Sequence, residues 1–186
     1  MRILIYSGER TGSYSLCKWI AKEFDLTFLT ELEEWNPSID NVVVKRTVSF
    51  RDNLSYFDIN KNSIYFDKII RLYRNDIQQQ AESRIYAESI DIWHHSNDET
   101  LLDAYYEIPY DFLKENQQNI IKHKTQLYND RKYLLSLEIG TAISYEELFE
   151  SEEGQYTLER YLNIQGKTKL FNPKLKLRKE TPKHII

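Results

Sequence analysis

Three short apolar runs restrict the fold of this chain more than anything else in it: Ile3-Leu4-Ile5, Val42-Val43-Val44 and Ile69-Ile70. A strand with one wet face alternates apolar and polar residues. The segment from Asn41 to Val48, β-branched and almost continuously apolar in its first half, instead marks a strand covered on both faces, and residues 1–6 and 68–73 read as further strands. Helical patterns separate the runs. Leu16, Trp19, Ile20 and Phe24 follow the first; Asp76, a cap, precedes Ile77, Ala81, Ile85 and Ile92 after the third. Short strands are also expected over residues 26–30 and 140–145. Strands alternating with helices predict an α/β fold with a mainly parallel sheet flanked by helices in three layers.

The remaining segments fit this plan. Residues 50–66 read as a loop with one short helix, and residues 96–109 as a polar connection ending at Pro109. From Tyr110 to Leu137, Leu113, Ile120, Leu127 and Leu134 recur at sevens with Ile121, Tyr128 and Leu135 beside them. This predicts one long helix across the domain, preferred over a coiled-coil seam. A helix is expected over residues 146–163 with Leu148, Phe149, Leu158 and Leu162 inward. The expected division is a single domain over residues 1–165 and a basic tail over 166–186, carrying Lys167, Lys169, Lys174, Lys176, Arg178, Lys179 and Lys183.

Composition excludes several classes of function. A chain of 186 residues with 41% apolar and 29% charged residues can bury a core and is globular rather than disordered. No apolar run reaches the length of a membrane span, and the first residues already read as strand, so no signal peptide is expected. The single Cys17 rules out an internal disulfide and a cysteine-based zinc cluster, and fits a reducing cytoplasm. A net charge of -4 argues against broad nucleic-acid binding, while leaving room for a local basic pocket.

Two of the chain's five glycines, Gly8 and Gly12, fall in the loop between the first strand and the first helix, within Ser7-Gly8-Glu9-Arg10-Thr11-Gly12-Ser13-Tyr14-Ser15. A glycine loop opening a helix aims backbone N–H groups and the positive end of the helix dipole at one point, the arrangement that receives a phosphate or sulfate. Arg10 adds a cation. The triphosphate loop G-x-x-x-x-G-K-[ST] does not fit: Gly8 and Gly12 are one residue too close, and Ser13 stands where the Lys would. No dinucleotide fingerprint G-x-G-x-x-G occurs.

Arg10-Thr11-Gly12-Ser13-Tyr14-Ser15 resembles the 5′-phosphosulfate loop of sulfotransferases, enzymes that use 3′-phosphoadenosine-5′-phosphosulfate (PAPS); Tyr14 replaces a small hydroxyl residue. A second segment, Ile69-Ile70-Arg71-Leu72-Tyr73-Arg74-Asn75-Asp76 leading to Gln80-Ala81-Glu82-Ser83, is similar to the unit in which that family holds the 3′-phosphate. Arg74 would be the bidentate fork and Ser83 the hydroxyl donor, with Arg71 as the competing arginine. A third, Ile143-Ser144-Tyr145-Glu146-Glu147-Leu148, resembles the family's late strand-to-helix segment, whose role is architectural. The short Leu177-Arg178-Lys179-Glu180 resembles a basic segment that closes over the 3′-phosphate in larger members, with a solvated basic tail as the preferred reading.

The resemblance implies a P-loop-containing α/β fold and transfer of a sulfuryl group from PAPS to a hydroxyl or amine, with adenosine 3′,5′-bisphosphate (PAP) as product. It implies PAPS contacts from Gly8, Arg10, Thr11, Gly12, Ser13, Tyr14, Ser15, Arg74 and Ser83, and no metal. Arg10 would stabilise the leaving group, and Glu31, beyond the second strand, would be the base, with Glu33 and Glu34 as rivals. The acceptor is open: sugar, lipid, peptide or small alcohol. Lys45 is a secondary candidate at its strand end; His94, His95 and His123 lack metal spacing and read as structural. Two other classes remain: a divergent P-loop kinase or nucleotidase, and a non-catalytic module that binds an anion or a partner through the 110–137 helix.

Overall fold

A computed structural model describes residues 1–30, 35–48, 57–90 and 108–164. Five strands form one all-parallel sheet: β1 (Arg2–Ser7), β2 (Thr27–Leu29), β3 (Val42–Thr47), β4 (Lys68–Tyr73) and β5 (Thr141–Ser144), in the order β2-β3-β1-β4-β5. The register sets Leu4 opposite Val44 and Ile69, so the three apolar runs meet side by side at the centre.

Alternation along each strand divides the core into two layers. Ile3, Ile5, Val43, Ile70, Leu72 and Ile143 pack against Leu16, Cys17 and Ile20 of α1 (Ser13–Phe24) and against Leu148, Leu158 and Leu162 of the last two helices. Leu4, Tyr6, Val42, Val44 and Ile69 face the other way, toward Ile59, Phe66 and Leu134. Helices therefore cover both faces, the α/β arrangement expected from strands alternating with helices. After β3 come α2 (Ile59–Asn62) and a 3-10 turn (Ser63–Tyr65), and after β4 comes α3 (Ile77–Ser89). Asp76 caps α3 through its carboxylate on Gln79 N–H at 2.8 Å.

The long 110–137 helix is in fact two, α4 (Tyr110–Glu115) and α5 (Gln117–Ser136). The break falls at Asn116, which leaves helical geometry at φ -100° and ψ 13° while its backbone N–H still reaches Phe112 O at 3.0 Å and its side-chain Nδ2 adds a second bond to the same carbonyl. Ile120, Leu127 and Leu134 are buried as the heptad spacing requires, but Ile121, Tyr128 and Leu135 are exposed: the apolar stripe is narrower than the sequence pattern. The 146–163 helix also divides, into α6 (Tyr145–Glu150) and α7 (Glu152–Leu162). Ser151 leaves helical geometry at φ -130°, and its side chain caps α7 on Glu153 N–H. The last strand stops at Ser144, one residue short of the expected end. There Ser144 and Glu147 form a reciprocal capping box that starts α6 at Tyr145.

Parallel pairing of β5 to β4 depends on Gly140. Its φ is +62°, and a Cβ there would stand 2.2 Å from Ile69 O. Among the described residues no helix is long and apolar enough to cross a membrane. Residues 50–56, 96–107 and 166–186, with Ile92, lie outside the described residues.

Candidate anion-binding site

In a parallel α/β sheet ligands gather beyond the carboxyl ends of the strands. There the chain leaves β1 at Ser7, and Gly8 N–H still donates to Leu72 O of β4 at 3.0 Å. Thr11, fully buried, donates its hydroxyl back to Gly8 O at 2.9 Å, stapling the loop. Arg10 is held at φ 53°, a left-handed conformation that costs a non-glycine residue about 1 kcal/mol. Gly12 follows at φ 73° as the residue before α1. A Cβ there would lie 2.6 Å from the Phe149 ring, so both backbone and space require glycine. As an N-cap, Gly12 brings no side-chain acceptor to α1. The first-turn N–H groups, those of Ser13, Tyr14 and Ser15, are the groups that such a helix offers to an external anion.

Each loop residue has a distinct part. Thr11 shapes the backbone, and Ser13 is buried at the helix start. The Tyr14 ring packs edge-on to Phe28 with centroids 5.3 Å apart and carries the Lys18 ammonium 4.9 Å above it. Tyr14 is thus turned to the β2 flank, where Phe28 and Lys18 accommodate its bulk.

The second unit meets the first. Arg10 Nε donates to Ser83 Oγ at 3.2 Å, across 73 positions of sequence. Arg74, buried just beyond β4, donates to Arg10 O at 3.3 Å and to Gln79 Oε1, and its guanidinium lies 4.3 Å over the Tyr145 ring. Arg10, Arg74 and Ser83 therefore converge on the loop that carries Gly8 and Gly12. Arg71, the competing arginine, is spent elsewhere: one terminal nitrogen donates to both Leu134 O and Leu137 O, where α5 ends. Burial lowers its pKa from the usual guanidinium value.

Other candidates are placed less favourably or not at all. Lys45, nearly buried, donates to Thr47 Oγ1 at 3.2 Å on its own strand. His123, inside α5, has Nε2 3.9 Å from a Glu88 oxygen. Among the described residues, no group of three His, Cys, Asp or Glu side chains is placed to hold a metal ion. Glu31, Glu33, Glu34, His94, His95 and the basic tail lie outside the described residues.

Several residues at the site were not singled out by their sequence. Glu146 accepts from Asn75 N–H and Asp76 N–H, each at 3.0 Å, and sits 4.0 Å from Arg74 Nε, while its neighbour Glu147 closes the capping box of α6. Tyr145 and Phe149, with ring centroids 4.7 Å apart, form an aromatic wall against Arg74 and Gly12. Gln80 Nε2 donates to Glu9 O, and Arg84 forms an ion pair with the Glu9 carboxylate. Gln80, Ser83 and Arg84 are spaced i, i+3, i+4, so helical periodicity alone puts them on one face. That signal was legible once α3 was assigned. A scan against protein-family models finds no match to the chain, and a search of curated proteins finds none either.

Proposed function

We propose that the protein is a PAPS-dependent sulfotransferase, transferring a sulfuryl group to a hydroxyl or amine of an acceptor and leaving PAP. The observation that supports this reading is the Arg10–Ser83 hydrogen bond, which joins the glycine loop to the Arg74–Ser83 unit. PAPS carries two separate anionic groups, and the two units supply two kinds of anion receptor in mutual contact.

Bound PAPS supplies an activated sulfuryl group on a nucleotide that can depart. The residues supply position and charge. The uncapped first turn of α1 and the Arg10 guanidinium stabilise negative charge on the bridging oxygen. Arg74 forks the 3′-phosphate by exchanging Arg10 O and Gln79 Oε1 for phosphate oxygens, and Ser83 gives up Arg10 Nε to donate its hydroxyl. Glu31 takes the acceptor's proton in this scheme, with Glu33 and Glu34 in the same acidic run. No metal enters the mechanism. The single, buried Cys17 is compatible with the reducing cytoplasm in which we place the protein.

Calorimetric titration with PAP and with AMP tests the reading, because the two differ only in the 3′-phosphate. PAP is expected to bind roughly 100-fold more tightly, the equivalent of about 2.7 kcal/mol from the Arg74 and Ser83 contacts. Equal affinities would overturn the reading.

A further inference from the structure

Glu9 is an anomaly in a loop that receives anions. It lies between Gly8 and Arg10, and an unpaired carboxylate there would repel a phosphate or sulfate arriving at α1. Its backbone and side chain are both held by α3. Gln80 Nε2 donates to Glu9 O, and the Arg84 guanidinium pairs with the Glu9 carboxylate. Arg84 is about nine-tenths buried, and the Glu9 side chain is only 19% exposed, so this pair is screened less than a surface ion pair. On its other side Arg84 Nε reaches Glu88 at 2.7 Å, which keeps the guanidinium along the helix face beside Gln80 and Ser83.

From this arrangement we propose that Arg84 is a positioning residue for the anion site: it cancels the Glu9 charge and keeps that carboxylate on α3. The proposal rests on the loop being an anion seat, the core of the reading above, and adds a role for a residue that need not touch the ligand. A mainly structural Arg84 would matter equally with or without the acid at residue 9. For anion binding a charge-cancelling Arg84 matters only while that acid is present; its pair with Glu88 is lost in either background.

The test is a suppressor experiment in the full chain, with PAP and inorganic sulfate as probes and binding read by calorimetry. Arg84→Met is expected to weaken binding roughly tenfold or more, because a unit negative charge is then left beside the bound anion. Adding Glu9→Gln is expected to restore binding to within a few-fold of the parent chain. Glu9→Gln alone deletes only a charge, and it is expected to bind as tightly as the parent or more so. That variant keeps the proposal falsifiable should Arg84→Met fail to fold.

Several results would overturn it: undiminished binding in Arg84→Met, no rescue by Glu9→Gln, or weakened binding in Glu9→Gln alone. Failure of this inference with PAP still bound by the parent leaves the sulfotransferase reading standing. If the parent binds sulfate but not PAP and the suppressor pattern holds for sulfate, the PAPS reading falls and the role of Arg84 stands. If the parent binds neither probe, both fall.

Discussion

Two arginines on one strand-and-turn, Arg71 and Arg74, are both buried yet belong to different parts of the molecule. Arg71 sits within β4 and closes the end of α5 by donating to Leu134 O and Leu137 O. Those partners are backbone carbonyls of the last turn of α5 and the residue after it, the first of them buried. Arg74, three residues on, lies past the strand end, and it touches Arg10 O, Gln79, the Tyr145 ring and Glu146. These partners belong to a loop and to helix starts at the carboxyl end of the sheet. Burial of a guanidinium therefore does not by itself identify a binding residue; in the reading proposed above, its place among loop and helix-start groups does.

The sharpest way to break the distinction is to remove each arginine in turn. Arg71→Met takes the guanidinium donor from two carbonyls at the end of α5, one buried and one partly buried, and is expected to cost about 3 kcal/mol of stability. For a domain of this size that lowers Tm by roughly 6–12 °C, measurable by calorimetric unfolding. Its PAP affinity at a temperature where it is folded should match that of the parent. Arg74→Ala is expected to weaken PAP binding roughly 30-fold, about 2 kcal/mol, by titration, with a smaller effect on unfolding. If Arg71→Met abolished PAP binding in a folded protein, or Arg74→Ala left it intact, the two roles would have been assigned the wrong way round.

Smaller effects sharpen the site side of the comparison. Ser83→Ala removes one hydroxyl and is expected to weaken PAP by roughly five-fold, about 1 kcal/mol, in the same titration. Least of all should come from the far end of the sheet, where Asp40 accepts from Asn41 N–H at 3.1 Å and faces the Met1 ammonium at 3.5 Å. First the Asn41 hydrogen bond and then that ammonium hold its carboxyl below the usual 3.8. A depressed folded pKa contributes stability above the unfolded value and loses it as pH falls through the folded one. Asp40→Asn should therefore flatten the fall in Tm slightly below about pH 4 and leave PAP binding untouched.

The comparison also explains how far the sequence could be read. Val42-Val43-Val44 marked a doubly covered strand, because burial on both faces leaves a composition signal, and Ile3-Leu4-Ile5 and Ile69-Ile70 marked its neighbours as strands. Asp76 and the glycine loop were legible since caps and tight turns demand particular residues. The breaks at Asn116 and Ser151 were not, because each is a departure of one residue's backbone dihedrals within an otherwise helical pattern. Arg71 and Arg74 could not be separated by spacing alone, since the carbonyls that occupy Arg71 lie more than sixty residues away in α5. Glu146 and Arg84 were missed for the same reason: their partners, at Asn75 and Glu9, are distant in sequence.

The central claim is that the glycine loop and the Arg74–Ser83 unit together receive one nucleotide bearing a 3′-phosphate. Thermal unfolding with PAP, compared with ATP plus Mg²⁺, tests it most directly. At 100 times its dissociation constant PAP should stabilise the fold by about 2.7 kcal/mol, raising Tm by roughly 5–11 °C, and ATP with Mg²⁺ should do much less. Stabilisation by ATP alone, or by neither nucleotide, would contradict the account.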